Sequence, residues 1–299
     1  MTGEAAALLS AFLGTLASVI LKREVGKISA LVVSASRGLV ASVFYFALLP
    51  FFGGFESFRT VPPAILALLV LSSIIGQVVG DTLYFRAIVQ FGVARTMPIV
   101  SSYPLITTLL AVTILGEPLG WRRIVGVVLV VGGLMALTQQ PGTRGSLHRG
   151  RRVGWLEPNA TGGSPWLIFA PAVISGVNIF LLKPITQYMN PVMINCVRQP
   201  LLAVVMTALV LRRRIPVAPD TGQRRYVGSM LVAHLLGAGI SSFLFLLGIQ
   251  LAGAARGGTL ASTGPLFALL LAPLLLGEQV RLLGVLGSLL TVSGVWLLL

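Results

Sequence analysis

The sequence predicts an all-α polytopic membrane protein, with ten transmembrane helices arranged as two inverted five-helix repeats. Three observations carry this reading. The first is composition: 56% of the 299 residues are hydrophobic, 10% are charged, and the mean hydropathy is +0.94. A soluble domain carries about 25% charge, so this chain lacks the polar residues to cover a water-facing surface. The second is segmentation. Ten apolar stretches approach the ~20 residues that a helix needs to cross the hydrocarbon core, and none alternates as a β-barrel strand would.

The third is duplication. The stretch 81–119, DTLYFRAIVQFGVARTMPIVSSYPLITTLLAVTILGEPL, returns as 242–280. Gly92 matches Gly253, Arg95 matches Arg256, Pro104 matches Pro265, and Gly116-Glu117 matches Gly277-Glu278, all at an offset of 161 with no gap. The same register pairs Arg37 with Arg198, Gly76 with Gly237, Leu21-Lys22 with Leu182-Lys183, Gly126 with Gly287 and Gly133 with Gly294. A gapless run of such matches marks an internal repeat. It divides the chain into a first half, 1–139, a linker, 140–164, and a second half, 165–299.

In chain order the predicted spans are 4–21, 28–50, 63–90, 96–115 and 121–138, then 165–182, 189–211, 226–250, 257–276 and 281–299. The first lacks a basic leader and a cleavage site, so it reads as a retained helix rather than a signal peptide. Each half holds five helices, and five is odd. The second copy must therefore enter the membrane from the opposite side, which relates the halves by a pseudo-two-fold axis in the membrane plane. Inverted repeats of this kind belong to transporters, with the site near the midplane between the halves. The many glycines, such as the pair Gly76 and Gly80, are expected to let helices approach closely.

The linker is rich in Gly, Pro, Ser and Arg and reads as a connection rather than an element. Its cluster Arg144, Arg149, Arg151 and Arg152 is either a solvated charge run or a contact to anionic lipid headgroups. The net charge of +14 does not point to nucleic acid, because the basic residues sit in connections between apolar runs. One side carries fourteen of them: Lys22, Arg23, Lys27, Arg95, the four linker arginines, Arg212, Arg213, Arg214, Arg224, Arg225 and Arg281. The other carries five: Arg59, Arg122, Arg123, Lys183 and Arg256. The positive-inside rule places the first side, with the linker, in the cytoplasm and both termini outside.

Charges inside a membrane are costly and mark function by default. Arg37 and Arg198 each lie about nine residues into a helix, ~13 Å deep at 1.5 Å per residue. Related by the repeat, they form either an anion or carboxylate clamp, since guanidinium binds such groups bidentately, or a structural pair. Asp81 is the only carboxylate well inside a predicted span, and its counterpart Ser242 is uncharged. Asp81 reads as a proton-relay group or, preferentially, as the partner of Arg37 or Arg86. Arg37 on a neighbouring helix is the easier partner, because Arg86 is turned ~140° away on an α-helix. Gln77 and Tyr84 share Asp81's face one turn before and after, and are candidates to line a cavity. So are Ser101, Ser102, Ser262 and Thr263, which precede the prolines Pro104 and Pro265, themselves read as hinges in the fourth helices. Glu117 and Glu278 stand before the fifth helices, where a carboxylate meets the positive helix end, and read as structural caps. His234 is read as a packing or helix–helix hydrogen-bonding residue rather than a metal ligand. Cys196, the one cysteine, excludes an internal disulfide and reads as a small buried residue. No metal-ligand spacing, nucleotide loop or nucleophile with a base is present, so neither a cofactor nor enzyme activity is expected.

Two five-helix copies, each with a proline in its fourth helix and Leu-Gly-Glu at its end, resemble the EamA-type family of the drug/metabolite transporter superfamily. The residues are Pro104 with Leu115-Gly116-Glu117, and Pro265 with Leu276-Gly277-Glu278. The resemblance covers essentially the whole chain. It implies a secondary transporter of the inner or plasma membrane, often an exporter of amino acids or other metabolites, with a central cavity between the halves. It also implies termini in the cytoplasm, opposite to the charge count. The expected function is therefore export of a small polar metabolite such as an amino acid by alternating access. The expected partners are a small-molecule substrate, a coupled proton or exchanged solute, and the bilayer, with no nucleic acid. The alternatives are a carrier of phosphorylated or nucleotide-linked sugars and a non-transporting, lipid-interacting or scaffolding membrane protein.

Overall fold

The structure is a computed structural model that describes residues 2–25, 29–115, 120–138, 166–216, 223–252, 254–277, 280 and 282–297. Among these there are helices and no strands. The first half contains α1 (Gly3–Val25), α2 (Ala30–Leu48), α3 (Pro63–Ser73), α4 (Thr82–Phe91), α5 (Val93–Val100), α6 (Tyr103–Leu115) and α7 (Trp121–Thr138). The second contains α8 (Trp166–Ile185), α9 (Pro191–Arg212), α10 (Gln223–His234), α11 (Ser242–Ala252), α12 (Ala254–Ala261), α13 (Gly264–Leu276) and α14 (Leu282–Leu297).

Local chemistry sets several of these boundaries. The Ser29 hydroxyl caps α2 by accepting from the Leu31 amide at 3.3 Å, and Asn190 caps α9 by accepting from the Met193 amide at 2.9 Å. Pro63 and Pro191 occupy the first turns of α3 and α9, where the missing N–H is no loss. Gly92, at φ 82°, breaks the chain between α4 and α5, and Gly277, at φ 65°, ends α13 in the left-handed conformation typical of a helix C-terminus. Their counterparts Gly253 and Gly116 lie outside the described residues, as do Glu117, Glu278 and the linker 140–164.

Among the described residues each of the ten predicted spans falls mostly on helical structure, and two expectations change in detail. The fourth and ninth spans are not single rods. Each is two helices separated by a turn, at Ser101-Ser102 and at Ser262-Thr263. Pro104 and Pro265 stand in the first turn of the helix that follows, so they start a helix rather than kink one. The third and eighth spans are also not pure α-helix. Ile74–Asp81 and Leu235–Ser241 are π-helical, and the two insertions begin at equivalent positions, 161 residues apart. Facial arithmetic at 100° per residue therefore fails through the stretch that holds Gln77 and Asp81. Among the described residues five helical stretches are long and apolar enough to cross a membrane: Gly3–Lys22, Leu31–Phe52, Pro63–Ile88, Pro191–Arg212 and Val227–Ala252. Shorter apolar helices, such as Gly264–Leu276 and Leu282–Leu297, accompany them.

The halves meet through equivalent elements. α2 packs along α9, and α7 along its own counterpart α14, more extensively than any other pairs. α1 packs on α11 and α13 of the second half, while its counterpart α8 packs on α4 and α6 of the first. The exchange holds residue by residue. A Cβ on Gly133 would lie 2.6 Å from the Gly287 carbonyl and 2.7 Å from the Thr291 amide; one on Gly294 would lie 2.7 Å from the Gly126 carbonyl and from the Val130 amide. Thr15 Oγ1 donates to the Gly264 carbonyl at 3.3 Å, and the equivalent Gly176 abuts the Tyr103 carbonyl. Small residues thus bring backbones of the two halves into contact. Outward-facing side chains are apolar, among them Val43, Val128, Leu270 and Leu274, while Trp121, Trp166 and Trp296 are exposed near helix ends, as in an interfacial aromatic belt.

Candidate functional site

Where the two π-helical stretches approach α1, α2, α8 and α9, they leave a cavity of about 340 Å³. π-insertions often mark functional sites, because the widened turn redirects side chains and frees backbone groups. Here the freed groups are met by residues from other helices. The buried Tyr45 hydroxyl donates to the carbonyls of Gly239 (2.7 Å) and Ala238 (3.1 Å). Ser10 and Ser241 exchange hydroxyl-to-carbonyl bonds at 2.8 and 2.9 Å.

Among the described residues three formally charged side chains line the cavity: Arg37, Asp81 and Arg198. Arg37 Nη1 lies 2.5 Å from Asp81 Oδ2, so the carboxylate is paired with Arg37 and not with Arg86. Arg198 is 6% exposed and has no carboxylate within ion-pairing distance among the described residues. Its Nε has no hydrogen-bond partner. With the Asn178 amide oriented by its hydrogen bonds, that side chain donates to the Ser72 carbonyl (2.8 Å) and accepts from Arg198 Nη2 (3.3 Å). Among the described residues the lining therefore holds two guanidinium groups and one carboxylate, and the buried Arg198 is the one without a direct ion pair.

The remaining predicted residues divide. Gln77, Tyr84 and Ser101 line the cavity. Gln77 is buried and its Oε1 has no partner, while the Tyr84 hydroxyl lies 2.9 Å from both Ser18 Oγ and Met97 Sδ. Ser102, Ser262 and Thr263 do not line it. They are buried in the inter-helix turns, and the hydroxyls of Ser102 and Thr263 donate back to the Ile99 and Leu260 carbonyls, both at 2.7 Å. His234 also faces the cavity, with Nε2 2.9 Å from Ser36 Oγ on α2 and Nδ1 unpartnered. Among the described residues no three metal-ligating side chains cluster.

Sequence reasoning missed Asn178 and Ser242. Asn178 had a signal, as the one amide in the apolar run of α8, opposite Ala17 of the repeat. Ser242 carries no signal beyond being the uncharged counterpart of Asp81.

Residues 1–139 and 164–299 match the EamA-like transporter family. The chain belongs to that family. An EamA-like chain is a multi-pass membrane transporter of the drug/metabolite superfamily, and the family's members are transporters rather than enzymes. No curated protein matches significantly. Among solved structures, a crystal structure described only as that of a protein is similar at a TM-score of 0.67 and 15% identity, over 98% of this chain and 96% of that one. At that identity the likeness concerns the fold alone.

Proposed function

We propose that this EamA-like protein is a secondary-active exporter of a small, carboxylate-bearing metabolite such as an amino acid. It works by alternating access between two inverted five-helix halves. One observation carries the reading: Arg198 is buried at the cavity with no carboxylate within ion-pairing distance among the described residues, while Arg37 is paired directly with Asp81. A desolvated and unpaired guanidinium is unfavourable unless an anion reaches it, and a planar carboxylate matches its geometry. The volume of about 340 Å³ lies near the bottom of the ~300–1,000 Å³ range of ligand pockets. It suits an amino acid better than a nucleotide-linked sugar. The exchanged contacts between halves of five helices support the inverted arrangement, and the outward direction follows the family resemblance.

The test is Arg198→Gln in the reconstituted protein. It should still fold, giving up the hydrogen bond to Asn178 along with a charge that has no ion pair, and lose amino-acid exchange by roughly ten- to hundredfold, the worth of one charged hydrogen-bonding partner. Exchange at the wild-type rate would reject the reading.

A further inference from the structure

The two halves hold the same arginine with different neighbours. In the first, Arg37 on α2 meets the carboxylate of Asp81 at the end of the π-helical stretch. In the second, Arg198 on α9 is the equivalent arginine, and the residue equivalent to Asp81 is Ser242 at the start of α11. Ser242 is correspondingly placed: it lines the same cavity, and its Oγ donates at 3.3 Å to Asn195 Oδ1, one turn before Arg198 on the same helix face. The second half thus has the arginine and the equivalent position, and only the carboxylate is missing.

We propose that the substrate's carboxylate occupies the subsite between Arg198 and Ser242, taking the place that Asp81 fills beside Arg37, and that Ser242 rather than an acid at this position is what makes the cavity a receptor for monoanionic carboxylates. This deepens the function proposed above and rests on it. The chemistry is specific. Arg198 supplies two parallel N–H donors to the carboxylate oxygens. The Ser242 hydroxyl can turn from Asn195 to donate to one of them, which Asp cannot do when ionised. Asn178, which also lines the cavity, accepts from Arg198 Nη2 and restrains the guanidinium. Selection against a second negative charge follows from the same arrangement. The other arginine is already neutralised, so a dicarboxylate would have to leave its second charge unpaired or break the Arg37–Asp81 bond.

The experiment compares Ser242→Asp with its uncharged isostere Ser242→Asn. Purified wild type and variants are reconstituted, and exchange of a mixed pool of radiolabelled amino acids is measured, with the corresponding amino-acid amides and succinate as competitors. Thermal unfolding of each protein is followed without ligand. Ser242→Asp should place an internal carboxylate on Arg198. It should unfold no lower than wild type and lose exchange by roughly ten- to hundredfold, a deeper loss than that of Ser242→Asn, whose uncharged amide replaces the hydroxyl but can still donate to a carboxylate. Amides and succinate should compete poorly with wild-type exchange. The inference is overturned if Ser242→Asp exchanges like wild type, or if it loses its fold while Ser242→Asn keeps it, since Arg198 then does not receive a carboxylate there. Loss of exchange in Arg198→Gln together with full exchange in Ser242→Asp rejects this subsite alone. Wild-type exchange in Arg198→Gln, or no exchange of the pool by wild type, rejects the proposed function and this inference with it.

Discussion

Gly76→Ala should disable the cavity without touching a charged residue. A Cβ at Gly76 would lie 2.5 and 2.6 Å from the two terminal amide atoms of Asn178, well inside contact distance, so that amide must move. It holds two hydrogen bonds, one to the Ser72 carbonyl and one from the Arg198 guanidinium. A neutral bond is worth ~0.5–1.5 kcal/mol and one to a charged group ~1.5–3 kcal/mol, so their loss costs ~2–4.5 kcal/mol. Alanine in place of glycine within a helix returns up to ~1 kcal/mol. The net expectation is a destabilisation of ~1–4.5 kcal/mol, with a fall in exchange because Arg198 loses its restraint. The assay is thermal or denaturant unfolding of Gly76→Ala, Asn178→Ala and the double variant, with exchange measured in parallel. Once Asn178 is truncated the obstructing amide is gone, so the second substitution should cost nothing further and the cycle should be non-additive. A Gly76→Ala protein as stable and active as wild type, or strict additivity in the double variant, would refute the reasoning.

Other outcomes are equally direct. Gly133→Ala should destabilise by ~1–3 kcal/mol because its Cβ would meet backbone of α14; its neighbour Gly132→Ala, with nothing within 4 Å, should be neutral or stabilising by up to ~1 kcal/mol. Equal melting shifts for the two would contradict the α7–α14 packing. Asp81→Asn should destabilise by less than the ~3–5 kcal/mol of a fully buried pair, because the Arg37 and Asp81 side chains are 18% and 21% exposed. Adding Arg37→Gln should recover part of that loss; a double variant worse than the sum of both singles would deny the pairing. Cysteine at Ser146 in the linker should resist an impermeant thiol reagent in intact cells, since the charge bias puts that segment inside. Rapid labelling there would reverse the orientation, and the buried Cys196 gives no background.

The repeat was legible because glycine, proline and arginine at a fixed offset survive as letters. The pairing of Asp81 with Arg37 was legible because a lone carboxylate in lipid has few affordable partners. The π-helical stretches were not. A π-insertion adds one residue to a turn and leaves the hydrophobic pattern of Ile74–Asp81 intact, so only backbone hydrogen bonding reveals it. The lodging of α1 in the second half and α8 in the first was equally invisible, because periodicity identifies an apolar face and not the helix that covers it. Ser102, Ser262 and Thr263 were misjudged for a related reason. The hydroxyls of Ser102 and Thr263 serve the turns they stand in, which a continuous helix would not have contained.

The reciprocal contacts carry an evolutionary consequence. Among the described residues, the main elements of the second half that α1 packs on are the equivalents of those of the first half that α8 packs on. Two separate copies of a single ancestral half could have made the same set. In such a pair each substitution would strike both twins at once, so an acid beside one arginine would mean an acid beside the other. Fusion into one gene lifts that constraint and lets the twins drift apart. Asp81 and Ser242 are what that freedom leaves behind: one arginine closed by the protein itself, and the other open.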